Sequence, residues 1–154
     1  MSSPLPPAFL ATGHPDLAAS ADLGVAVATL RRTVLTDPVT EGHRRHVLDF
    51  VAGHPDAAHR TCAEGHLTGS ALVVDTDGTR TLLMLHRKLG RWFQPGGHAD
   101  GDTNLAGVAL REATEETGID GLRVLPDPID VDVHLVDRIF DGIVRMTAPA
   151  PRCC

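Results

Sequence analysis

The spacing of apolar residues predicts helices in the first third of the chain. Apolar positions recur at helical intervals through residues 16–35 and again through residues 39–51, which predicts two helices. A third, short helix is predicted after Pro55 and is expected to end near Arg60. Residues 2–15 are rich in Pro, Ser and Gly, so this stretch is expected to be extended or disordered.

Two apolar runs separated by a turn sequence follow the helical region. Residues 71–75 and 80–86 flank Asp77-Gly78, a dipeptide that is typical of tight hairpin turns. The pattern therefore predicts a β-hairpin. Trp92 follows the second run and is expected to pack in the core, since its large apolar ring favours burial over stacking on a ligand.

A loop with two adjacent glycines leads into a further helix. Gly96-Gly97 lets the backbone approach a ligand closely, because neither residue has a side chain. Helix formers follow an N-cap at Thr103 or Asp102, and Gly118 is expected to stop the helix. The sequence thus places a helix directly after a glycine-rich loop.

Three glutamates of this helix share one side. At about 100° per residue, Glu112, Glu115 and Glu116 fall within an arc of about 100° beside the apolar face. Such carboxylates repel by roughly 0.2–0.5 kcal/mol per pair, and Arg111 is the nearest cation that offsets the repulsion. A divalent cation would make the arrangement favourable, and Mg²⁺ prefers carboxylate oxygens, water and substrate phosphates. The alternative is an ordinary amphipathic helix with a solvated charged face.

Residues 97–119 resemble the Nudix box, written Gly, five residues, Glu, seven residues, Arg-Glu-aliphatic-any-Glu-Glu-any-Gly-aliphatic. The pattern specifies nine positions, and this chain departs from it at one: the first glutamate of the pattern is Thr103 here. That glutamate commonly supports the arginine and the metal-binding cluster, so Asp100 and Asp102 are candidate substitutes, and Thr103→Glu is expected to raise Mg²⁺ affinity or turnover. The other eight positions are filled by Gly97, Arg111, Glu112, Ala113, Glu115, Glu116, Gly118 and Ile119.

The resemblance implies an α/β fold: a Nudix-like α/β/α sandwich with a mixed sheet, preceded by a helical N-terminal segment. Residues 1–60 would form the N-terminal extension and helices, and residues 61–154 the Nudix-like domain, packed with the extension as one unit. The resemblance is good over residues 65–119, is loose over residues 120–134 and fades beyond. We therefore expect the C-terminal part of the domain to be incomplete.

The function implied by the resemblance is that of a Nudix-type pyrophosphohydrolase. Such an enzyme uses Mg²⁺, or alternatively Mn²⁺, to cleave the pyrophosphate link of a nucleoside diphosphate joined to another moiety. Glu112, Glu115 and Glu116 would provide the metal ligands and the base, the Gly97 carbonyl would complete the metal shell, and Arg111 would orient the carboxylates. A catalytically weak or inactive nucleotide-binding module with this fold is the alternative.

Four cationic or imidazole side chains near the loop are candidate contacts for the substrate phosphates, and a solvated rim is the alternative for the three basic ones. They are Arg87, Lys88, Arg91 and His98. A net charge of −6 argues against a nucleic-acid duplex as partner. No run of about 18 apolar residues predicts a membrane span, and an odd count of three cysteines is typical of a reducing compartment. The expected location is the cytoplasm, the expected partner is a small nucleotide-linked diphosphate, and a homo-oligomer is left open.

Overall fold

A computed structural model describes residues 8–134 and 139–147 of the chain. Residues 2–7 of the predicted extended segment, and residues 135–138 and 148–154 of the predicted domain, lie outside this description. The helices are α1 (Leu23–Arg32), α2 (Pro38–Gly53) and α3 (Leu105–Thr117). The strands are β1 (Leu10–Ala11), β2 (His66–Val74), β3 (Met84–His86), β4 (Arg91–Phe93), β5 (Gly96–His98), β6 (Arg123–Val124), β7 (Asp130–His134) and β8 (Ile139–Thr147).

The two N-terminal helices begin at aspartate caps. Asp22 accepts a hydrogen bond from the Gly24 N–H, and Asp37 accepts one from the Thr40 N–H. Helix α1 is shorter than residues 16–35, because Pro15–Leu17 forms a separate turn of 3₁₀ helix and an extended stretch precedes the Asp22 cap. The predicted third helix is wrong, since residues 55–60 form turns.

The main sheet is mixed, with β8 at its centre. Strand β8 runs parallel to β2 on one side and antiparallel to β6 and β7, which pair with different stretches of it. Strand β5 continues the sheet on the far edge of β2, and β1 continues it beyond β6. Helices and a mixed sheet together give an α/β fold.

The predicted hairpin is right at its turn and wrong in its second strand. The Asp75 N–H donates to the Arg80 carbonyl, and one further bridge pairs Val74 with Thr81. Beyond the turn the chain leaves β2, and β3 pairs with β4 in a separate two-stranded hairpin. Trp92 lies on that hairpin with 63% of its surface exposed, so the expectation that it packs in the core is wrong.

Helix α3 packs directly on β2 at a glycine. A Cβ at Gly69 would lie 2.7 Å from the Leu105 carbonyl oxygen, so the close approach of helix and strand depends on the missing side chain. The predicted C-terminus is right, because Gly118 adopts the left-handed conformation that ends the helix. The predicted N-cap is wrong: Asn104, and not Thr103 or Asp102, accepts a hydrogen bond from the Gly107 N–H.

Two apolar clusters stabilise the domain. One joins the buried faces of α1 and α2 to Leu67 of β2, Ala99 and Val131 of β7. The other joins the apolar face of α3 to β2 and β6. The N-terminal helices therefore share a core with the strands that carry the glycine-rich loop. Within residues 8–134 and 139–147, no helix has the length and apolar content needed to cross a membrane.

Candidate active site

The glycine-rich loop forms strand β5, which lies between β2 and the acidic side of α3. Gly96 and Gly97 pair with Ser70 and Gly69 of β2. The Gly96 N–H donates to the Glu116 carboxylate over 3.1 Å. A Cβ at Gly97 would overlap the Glu112 carboxylate, so Gly97 is the position where that side chain meets the backbone. Glycine at position 97 thus makes room for the Glu112 carboxylate, whereas glycine at position 96 avoids a collision with Ser70 of β2.

Glu112 is the most enclosed of the three predicted glutamates. Partial burial raises the pKa of its carboxyl group above the usual range, Arg111 acts in the opposite direction, and the charges of Glu115, Glu116 and Asp100 add to the rise. Glu115 and Glu116 are exposed on α3. The cluster therefore carries an excess of negative charge that a bound cation would relieve.

Asp102 and Arg111 connect the loop to Glu112. Arg111 donates through Nη1 to Asp102 Oδ2 over 3.3 Å, and its Nε lies 3.9 Å from Glu112 Oε1. The Asp102 side chain is only 12% exposed, and its Oδ1 accepts hydrogen bonds from the Ser20 and Asn104 N–H groups. Asp102 thus contacts Arg111, the contact that the family's first box glutamate commonly provides, whereas Asp100 pairs with Arg60.

Thr103 has a different role from the one predicted for it. Its side chain is buried at 1% exposure, and its hydroxyl donates to the Ser20 and Asp22 carbonyl oxygens over 3.0 and 2.7 Å. The Thr103 N–H also donates to the Ser20 carbonyl. Thr103 therefore fastens the segment before α1 to the start of α3. These contacts argue against the expectation that Thr103→Glu improves the site, because a glutamate here would have to be buried against carbonyl oxygens.

His98 lies at the end of β5 and forms a pair with a histidine that the sequence did not single out. His98 Nδ1 is 2.7 Å from Nε2 of His66, which is buried. Burial lowers the pKa of His98, the Arg60 charge lowers it further, and Asp100 opposes both. The neutral imidazole is therefore favoured, and it can present one N–H or one lone pair to a ligand.

The three predicted phosphate contacts on the hairpin are exposed. Arg87 and Lys88 lie in the turn between β3 and β4, and Arg91 begins β4. In the described part of the chain they make no hydrogen bond or ion pair with the glycine-rich loop. Local spacing could not reveal Arg60 or His66, since their partners Asp100 and His98 are 40 and 32 positions away.

The fit of a metal ion depends on the carboxylates beside β5. Glu112 and Glu116 lie against adjacent glycines, and oxygen ligands with room for water suit Mg²⁺. No three Asp, Glu, His or Cys side chains among the residues that the structure describes form a ready-made set of ligands. The convergence of Glu112, Glu115 and Glu116 on one ion stays a prediction.

Comparison with known proteins adds independent evidence on the family. No curated protein matches the chain. The family model described as NUDIX domain matches residues 66–148, which is 83 of the 154 residues. The match runs past residue 134, so the prediction that the resemblance fades there is wrong. With more than half of its length matched and the box in place, the chain belongs to the Nudix family.

Proposed function

We propose that the chain is a Mg²⁺-dependent pyrophosphohydrolase that cleaves the link between a nucleoside diphosphate and another moiety. Membership in the Nudix family supports a hydrolase of this type. The observation that carries the proposal is the meeting of α3 carboxylates with the loop: Glu112 lies against Gly97, and Glu116 accepts the Gly96 N–H. Mn²⁺ is the alternative metal, and a small nucleotide-linked diphosphate is the partner. We also propose a cytoplasmic location, which the odd cysteine count favours.

Each residue of the site has a proposed role in metal binding, catalysis or substrate binding. Glu112, Glu115 and Glu116 supply metal ligands and the base, and the Gly97 carbonyl adds a further oxygen. Arg111, fixed by Asp102, holds the Glu112 carboxylate in place. When bound, Mg²⁺ would orient the phosphates, lower the pKa of a water molecule and screen the charge that develops in the transition state. His98, Arg87, Lys88 and Arg91 are the proposed phosphate contacts.

The fold around this site is proposed to be the α/β/α sandwich of the family. Its support is that α3 packs against β2 while α2 packs against β7. We further propose that residues 1–60 and 61–154 pack as one unit. The shared cluster of α1, α2, Leu67, Ala99 and Val131 supports this organisation.

The test is release of a monophosphate product from a panel of nucleotide-linked diphosphates, measured with and without Mg²⁺. We expect metal-dependent release, and we expect Glu116→Gln to lower it by about tenfold or more. Asp49→Asn is the matched control, because it makes the same change of carboxylate to amide on the exposed side of α2. Metal-independent turnover, or equal turnover in Glu116→Gln and the control, would contradict the proposal. Nucleotide binding without turnover would favour the inactive binding module.

A further inference from the structure

The turn at residues 57–60 precedes the family match and contacts the loop of residues 99–102, which follows strand β5. We propose that Arg60 is a positioning residue for the proposed reaction: it fixes the loop of residues 99–102, through which Asp102 reaches Arg111 and Glu112. The inference rests on the proposed function, but its key residue lies outside the matched residues 66–148. Arg60 is therefore a contribution of the N-terminal segment to the site.

The loop has a backbone conformation that requires support. Asp100 has a φ of 48°, and within the described ranges it is the only residue other than glycine with a positive φ. Gly101 follows with a φ of 93°. The left-handed region is less favourable for a residue with a Cβ, although less so for aspartate than for most residues, so surrounding contacts help to hold this conformation.

The turn at residues 57–60 provides those contacts. The Ala58 carbonyl accepts a hydrogen bond from the Gly101 N–H over 2.9 Å. The His59 ring packs on Gly101, where a Cβ would lie 2.9 Å from the ring. Arg60 donates to both carboxylate oxygens of Asp100, from Nε over 2.7 Å and from Nη2 over 2.5 Å. Such a bidentate ion pair fixes the orientation of the Asp100 carboxylate as well as its distance from Arg60.

The same loop ends at the residue that supports the catalytic helix. Asp102 donates its N–H to the Ala99 carbonyl, and its carboxylate accepts from Arg111, which lies beside Glu112. Arg60 is also within electrostatic reach of the site: the bond to Asp100 raises the Arg60 pKa, and the charge of Glu112 adds to the rise. A shift of the loop would therefore move the support of Glu112.

The experiment compares Arg60→Lys with Arg32→Lys in the full chain. Lysine keeps the positive charge but cannot form the bidentate ion pair. Arg32 is a matched control, because it pairs with Asp127 over 2.6 Å and its side chain is 52% exposed, against 58% for Arg60. The measurements are amide hydrogen exchange at Gly101 and Asp102 in the metal-free protein, Mn²⁺ binding by electron paramagnetic resonance, and melting temperature.

We expect Arg60→Lys to speed exchange at both amides and to weaken Mn²⁺ binding by about tenfold, as is typical for residues that orient metal ligands indirectly. Its melting temperature should stay close to that of Arg32→Lys, because both ion pairs are exposed. If Arg60→Lys does not fold, Asp100→Asn takes its place, since asparagine tolerates a positive φ but loses the charged pair.

Two results would overturn the proposal: unchanged exchange and Mn²⁺ affinity in Arg60→Lys, or the same changes in Arg32→Lys. Failure of the proposed function gives a different pattern. If Arg60→Lys speeds exchange but the wild-type chain binds no Mn²⁺ and hydrolyses no substrate, the loop-holding role of Arg60 is supported and the proposed function is overturned.

Discussion

Replacing Thr103 is the most direct test of how the start of α3 is built. The box pattern alone suggests that a glutamate at this position would strengthen the site. The structure predicts the opposite, because the Thr103 hydroxyl is buried and donates to the Ser20 and Asp22 carbonyls. We therefore expect Thr103→Glu to destabilise the protein, and to lower metal affinity and turnover as a consequence.

The size of the effect follows from the contacts that each variant loses. Thr103→Val keeps the shape but loses the hydroxyl hydrogen bond, which costs about 0.5–1.5 kcal/mol. The cost stays in this range because the Asp22 carbonyl still accepts the Val25 N–H, and the Ser20 carbonyl still accepts the Thr103 N–H. Thr103→Glu adds an uncompensated buried charge, which costs about 3–5 kcal/mol. For a chain of this length each kcal/mol lowers the melting temperature by roughly 2–4 °C. The expected losses are roughly 1–6 °C for valine and roughly 6–20 °C for glutamate.

Thermal unfolding followed by far-ultraviolet circular dichroism measures these differences. Thr103→Ser is the matched control, because it keeps the hydroxyl and is expected to melt closest to the wild type. The expected order is wild type, serine, valine and glutamate. A Thr103→Glu variant that melts with the wild type, or binds Mg²⁺ more tightly, would refute the assigned role of Thr103.

Three further predictions concern individual side chains. Asp102→Asn should lower turnover about tenfold with little change in melting temperature, since the amide oxygen still accepts backbone N–H groups but cannot form the ion pair with Arg111; kinetics under Mg²⁺ titration check this. Asp37→Ala should destabilise α2 at neutral pH. The Thr40 N–H donates to the Asp37 carboxylate and lowers its pKa. The charged carboxylate therefore stabilises the folded protein above the pKa that Asp37 has in the unfolded chain, and this stabilisation is lost as the pH falls through the pKa in the folded protein. Urea midpoints of wild type and variant should therefore converge in acid, and a constant difference would contradict this. Burial raises the pKa of the Cys62 thiol, so iodoacetamide should label it slowly in the folded protein and rapidly once urea unfolds it. The assay uses a variant in which the other two cysteines are replaced by serine, and rapid labelling of the folded variant would contradict the prediction.

Elements with strong local signals could be predicted from the sequence. Helix α3 has good helix formers and a glycine that adopts the left-handed conformation at position 118, and both are local properties. Strand β2 begins at His66, five positions before the predicted start at residue 71. Its first half includes Thr68, Gly69 and Ser70, which hide the strand pattern, and it is a strand because β5, β8 and α3 pack around it.

The candidate site shows the same division between local and long-range information. Spacing alone places Glu112 and Glu116 on one side of a helix that follows a glycine loop. Spacing cannot reveal that the Thr103 hydroxyl is hydrogen-bonded to carbonyls 81 and 83 positions earlier, or that Arg60 forms an ion pair with Asp100. Adjacent polar residues at 102–104 can each cap a helix, so tertiary bonds decide that Asn104 does so.

The central position of β8 has a consequence for how the chain is made. Strand β8 pairs with β2 from His66↔Ile139 onward, 73 positions apart, and also with β6 and β7. Strands β2, β6 and β7 are synthesised before their common neighbour, so the nascent chain holds unpaired strand edges until β8 has emerged from the ribosome. Pairing at such sequence distance is also slow. Chaperone demand during synthesis is therefore expected to be set by the arrival of β8.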